Sequence, residues 1–82
     1  DIRARVLAEI ATVLSLDAAA IDPTTSLLDL GLDSLLALDL RKRLQQATGR
    51  KVALATLLGG VTAGELVTDL ADTTRKEKVD NA

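Results

Sequence analysis

Apolar residues along the chain fall into three helical stripes separated by one long irregular stretch and one short one. Ile2, Val6, Ile10, Val13 and Leu14 recur at spacings of three and four, with Arg3, Arg5 and Glu9 between them. That period predicts an amphipathic helix from Ile2 to Leu14. A second stripe, Leu36, Ala37, Leu40, Leu44 and Ala47, predicts a helix from Ser34 to about Thr48, closed by Gly49. Asp33 stands at its N-cap, where a carboxylate accepts from the backbone N–H of Leu35 or Leu36, worth about 1 kcal/mol against alanine. Val52 to Leu58 is too short for more than a turn or two of helix before Gly59-Gly60. Thr62-Ala63-Gly64-Glu65 has the form of a capping box, so a last helix carrying Leu66, Val67 and Leu70 should run to about Thr73.

Between the first two helices, residues 15 to 33 hold no sustained period. Asp22-Pro23-Thr24-Thr25-Ser26 supplies turn chemistry there. The loop also carries Leu16, Ile21, Leu27, Leu28 and Leu30, too many apolar side chains for a free linker, so it should lie packed across the helices. Helices this short are not stable alone in water and must bury their stripes together. The expected fold is all-α, a small four-helix bundle of three principal helices and one short one, with a long ordered loop. Ile10, Leu14, Leu36, Leu40, Leu44, Leu66 and Leu70 should form the core, Ile21 and Leu27 should pack the loop onto it, and Ser34 should stay open to solvent. The domain should occupy residues 1–74, with residues 75–82 a charged tail or linker.

Composition narrows what such a bundle does. Eighty-two residues suffice for one small core, with stability on the order of 5 kcal/mol. The chain has no Phe, Trp, Tyr or Met, so the core is aliphatic and no ring is available to stack on a base. With a net charge of −2 as well, nucleic acid is not an expected partner. The absence of Cys and His excludes the usual zinc sites and every nucleophile that relies on an imidazole base. No apolar run approaches the ~20 residues of a helical membrane span. A cytoplasmic, monomeric domain without metal or catalytic residues is expected, and a start at Asp1 suggests a piece of a longer polypeptide.

Leu27-Leu28-Asp29-Leu30-Gly31-Leu32-Asp33-Ser34-Leu35 sets one hydroxyl at a helix tip, after a glycine turn and between apolar neighbours. Serine is common at helix starts for capping reasons alone. Gly31-Leu32-Asp33-Ser34-Leu35 also has a superficial likeness to GDSL-type esterase motifs, but the chain has no histidine to serve as base. The wider segment resembles the signature of phosphopantetheine-binding carrier proteins, in which Asp-Ser-Leu follows a Leu-Gly-x turn and opens the second helix. Leu30 to Leu35 carries the match, with Ala37 to Leu44 after it and Ile21-Asp22-Pro23 before it. Within carriers, Leu40-Arg41-Lys42-Arg43-Leu44 looks like the acyl carrier domains of type I polyketide synthases, with Asp39 and Lys42 as modest departures. Leu57-Leu58-Gly59-Gly60-Val61-Thr62 departs further, standing where many polyketide carriers have an aromatic and proline-containing loop.

The resemblance implies 4'-phosphopantetheine, donated from coenzyme A by a phosphopantetheinyl transferase, on Ser34, with Asp33, Gly31 and Leu35 in support. Acyl intermediates would ride on it as thioesters and be presented to ketosynthase, acyltransferase and other synthase domains, the carrier itself catalysing nothing. Ser15 and Ser26 lack the Asp-Ser-Leu context. A peptidyl carrier, a free-standing fatty acyl carrier and a non-catalytic helical docking module are the alternatives. Arg41, Lys42 and Arg43 admit two readings: a solvated face with Asp39 and Arg43 paired at i,i+4, or a docking surface formed by Arg41 and Lys42 with Leu35. Leu35 is expected to be partly exposed, and Leu38 is not.

Overall fold

The computed structural model describes residues 1–72, which form α1 (Ile2–Leu14), a 3-10 turn at Ala18–Ala20, α2 (Ser34–Thr48), α3 (Leu54–Leu58) and α4 (Ala63–Ala71). There is no strand among the described residues, and the small all-α bundle expected from the sequence is what forms. The expected boundary at residue 74 and the tail at 75–82 lie outside the described residues.

α1 is the hub, packed against both α2 and α4, while α3 packs on α2. Val6, Ile10, Leu27, Leu40, Leu44, Leu57 and Leu66 are the largest fully buried side chains. Burying each fully is worth roughly 1.5–3 kcal/mol. Ala37 and Ala63 are equally buried and contribute little bulk where the helices meet. Two residues expected in the core stand at its edge: Leu14 and Leu36 are only half-buried, though both pack against it. Phase explains Leu36. Burial on α2 runs through Ala37, Leu40 and Leu44, which puts Leu36 about 100° around the helix from Ala37. Position explains Leu14: it shares the phase of buried Ile10 and Ala11 but is the last residue of α1, where the helix ends at the Ser15 cap.

Caps decide where the helices stop. α1 ends at Ser15, a non-glycine residue in the left-handed region (φ 59°), whose N–H donates to the carbonyls of Ala11 and Thr12. α2 ends at Gly49 in the same region (φ 76°). α4 stops at Ala71, with Asp72 as its C-cap, two residues short of the expected Thr73. There the Arg50 guanidinium reaches across from the α2–α3 connection. Its Nη1 donates to the carbonyls of Asp69, Leu70 and Asp72 at 2.9, 3.1 and 3.0 Å. A cation among the last carbonyls also suits the negative end of the helix dipole.

The long loop is fastened rather than merely laid across the bundle. Its Leu27 N–H donates to Val61 O at 2.9 Å, and its Thr25 and Pro23 carbonyls accept from Ala63 and Gly64 at the start of α4. Ile21, Leu27 and Leu32 are buried, Leu30 is half-buried, and Leu16 and Leu28 are exposed, so three of the six apolar side chains anchor it. Upstream of the anchor, the Asp22 carboxylate accepts from both the N–H and the hydroxyl of Thr24. Those two bonds hold its pKa below the ordinary 3.8.

Candidate functional site

The segment ahead of α2 turns sharply, and the turn explains why Ser34 is presented. Ser26 O accepts from Leu30 N–H, Leu27 O accepts from Leu32 N–H, and Ser26 Oγ accepts from Asp29 N–H at 3.2 Å. Gly31 closes the turn at φ +111°, a conformation strained for any residue with a Cβ even though the space beside it is open. Leu32, next in line, is buried and pins the chain to the core. Asp33 follows in extended conformation and caps α2, its Oδ1 accepting from Leu36 N–H at 2.8 Å. Of the two donors proposed from sequence, Leu36 is the one used.

Ser34 is therefore the first residue of α2, exposed, with its backbone held between buried Leu32 and buried Ala37. Helix geometry leaves the N–H groups of Ser34 and Leu35 without an intrahelical acceptor, and no other described residue accepts from them. An exposed hydroxyl beside two unengaged donors, at the positive end of a fifteen-residue helix, suits an anionic ester. Neither Ser15, in its left-handed cap, nor Ser26, whose Oγ already serves Asp29, offers that arrangement.

Leu35 is 73% exposed beside Ser34, as expected, and Leu38 at 44% is exposed as well, contrary to expectation. At i+3 from Leu35 it lies on the same outer face, so the two leucines make an apolar strip along α2. The basic run divides. Arg43 bends to the core side, bonding Asp39 at 3.2 Å and Glu9 of α1 at 3.4 Å, and Glu9 in turn bonds Arg5. Asp39 first, then Glu9, hold the guanidinium more firmly protonated than usual. Arg41 and Lys42 remain exposed, with no ion pair among the described residues. Sequence reasoning anticipated the Asp39–Arg43 pair but not the link to Glu9, since nothing local pairs residues 34 positions apart.

No imidazole exists in the chain, and no cluster of three metal-binding side chains occurs among the described residues. No helix among them is long and apolar enough to cross a membrane. No curated protein matches the chain. A family model described as "phosphopantetheine attachment site" does match, over residues 4–70, a span that takes in all four helices but for the ends of α1 and α4 and has the Ser34 turn near its middle. Members of that family carry a covalently attached 4'-phosphopantetheine and are generally non-catalytic. With the match covering most of its length, the chain belongs to the phosphopantetheine attachment site family, as a carrier domain.

Proposed function

We propose that Ser34 is the attachment point and that the domain holds acyl intermediates for a type I polyketide synthase. The observation that carries the first part is the exposed hydroxyl at the first position of α2 within the family match. In the loading step, Ser34 Oγ displaces adenosine 3',5'-bisphosphate from coenzyme A. One phosphorus–oxygen bond forms as the diphosphate linkage breaks, and the Ser34 proton passes to a base of the phosphopantetheinyl transferase. When attached, the group supplies a terminal thiol on which acyl chains form thioesters. The residues of this chain present and orient. Gly31 permits the turn, Asp33 fixes the first turn of α2, and the N–H groups of Ser34 and Leu35 face a phosphodiester with donors that no protein group has claimed.

The synthase assignment rests on the resemblance of Leu40 to Leu44 to polyketide carriers. In this reading Leu35, Arg41 and Lys42 meet the transferase, ketosynthase and acyltransferase domains, and the domain works as a monomer in the cytoplasm. The test is intact-protein mass after incubation with coenzyme A and a broad-specificity transferase. A gain of one phosphopantetheine, mapped by peptide sequencing to Ser34, is expected. A gain on Ser15 or Ser26, or none on a folded chain, overturns the assignment. Transfer of a malonyl group to the loaded domain by a polyketide acyltransferase, and not by a peptide-synthetase adenylation domain, is the expected result for the synthase reading.

A further inference from the structure

Three exposed cations without an ion-pair partner among the described residues lie around one groove. Leu38, Arg41, Lys42 and Gln45 lie on one face of α2, at spacings of three and four, and form one wall of an open groove of about 690 Å³. Lys51 and Val52, from the irregular segment before α3, form the other. Arg41, Lys42 and Lys51 are exposed, and none has an ion-pair partner among the described residues. Arg43, one position further along α2, is paired with two acids, so the same helix both neutralises one cation and leaves its neighbours bare. This happens in a chain whose net charge is −2, so the patch runs against the sign of the molecule. Leu38 gives the groove an exposed aliphatic element.

We propose that this groove is a docking site for an acidic protein segment bearing an aliphatic side chain, with Lys51 as a specificity-determining contact. The carboxylates would meet the three cations while the aliphatic side chain covers Leu38. Charge of one sign on both walls favours an extended acidic strand lying along the groove and speeds its encounter. This deepens the docking part of the proposed function, adding Lys51, Leu38 and the sign of the partner, and it does not need Ser34 to be modified.

The test uses the whole unmodified chain, labelled with nitrogen-15 and titrated with a synthetic peptide, acetyl-Glu-Asp-Leu-Glu-Glu-Leu-Asp-amide. Saturable amide shifts are expected at Leu38, Arg41, Lys42, Gln45, Lys51 and Val52. Lys51→Glu, on an exposed side chain outside every helix, should weaken binding by about fivefold with an unchanged circular dichroism spectrum. Added salt should shrink that difference. A peptide with both leucines replaced by serine should bind more weakly. Shifts spread over all the surface cations, equal affinity for the serine peptide or for an oligothymidylate, or no effect of Lys51→Glu would each overturn the proposal. The mass gain on Ser34 is read separately. A chain that is loaded but does not bind the peptide loses only the groove, and one that binds but is not loaded loses only the attachment site.

Discussion

α2 and α4 both begin behind a side-chain cap, Asp33 and Thr62, yet the donors that follow are treated in opposite ways. At α4 every early N–H is engaged. Ala63 donates to Thr25 O, Gly64 to Pro23 O and Glu65 to Thr62 Oγ1, while Glu65 Oε1 accepts from Thr62 N–H to complete the capping box. At α2 the cap serves Leu36 alone, and the N–H groups of Ser34 and Leu35 have no acceptor among the described residues. The local chemistry is similar and the tertiary context is not. One helix start is spent on fastening the loop to the bundle, and the other is left open, as the proposed attachment at Ser34 requires. A helix start whose donors are taken up by the protein is closed to a ligand, and an exposed one whose donors are left to water is open to one.

The sharpest way to break this comparison is Ser34→Ala. It should abolish the mass gain completely and leave thermal stability within about 0.5 kcal/mol of wild type, because the side chain is exposed. Loss of stability on that scale or larger would mean that the open end has a structural duty after all. Gly64→Ala attacks the closed end. A Cβ there would lie 2.9 Å from the Pro23 carbonyl oxygen, so the loop must shift, at a cost of about 1–3 kcal/mol in denaturant unfolding. Loading of Ser34 should be unaffected at temperatures where the variant is folded.

The two caps give the direct contrast. Asp33→Ala and Thr62→Ala should each cost about 1 kcal/mol by chemical denaturation. Only the Asp33 variant should also slow transfer of the arm, and equal slowing in both would dissolve the distinction. The smallest effect is expected at Asp22. Its folded pKa is lowered by Thr24, so its stabilising contribution is complete above the ordinary 3.8 and is lost as pH falls through the lower folded value. Melting temperatures of wild type and Asp22→Asn should differ slightly at pH 6 and converge below 3.8. A gap that stays constant with pH would show that the two Thr24 bonds do not depend on the charge.

Features written within a few residues were legible in advance. The bounds of α1 and α2, the Asp33 cap, the Thr62–Glu65 box and the Asp39–Arg43 pair all follow from neighbours in sequence, and so does the placing of Ser34 at a helix tip. What could not be read joins distant parts of the chain. Nothing near Arg50 in sequence says that its acceptors lie 19 to 22 residues on, nor does anything near Gly64 say that Pro23 will close over it. Leu36 shows a subtler limit, since a stripe about 100° wide identifies a face but not which of two adjacent apolar residues points inward. Leu38 follows the same rule, pointing outward beside buried Ala37, and its placement across the groove from Lys51 depends on the course of the segment after α2.

The grip of Arg50 on the last turn of α4 makes it part of a load path. A pull on the chain beyond Asp72 would load the three carbonyls that Arg50 holds, and through Arg50 the connection between α2 and α3. A tether attached at one end of the domain thus tugs on its middle, on the residue that precedes Lys51. Tension applied beyond Asp72 would be shared between the packing of α4 on α1 and, through Arg50, one wall of the basic groove.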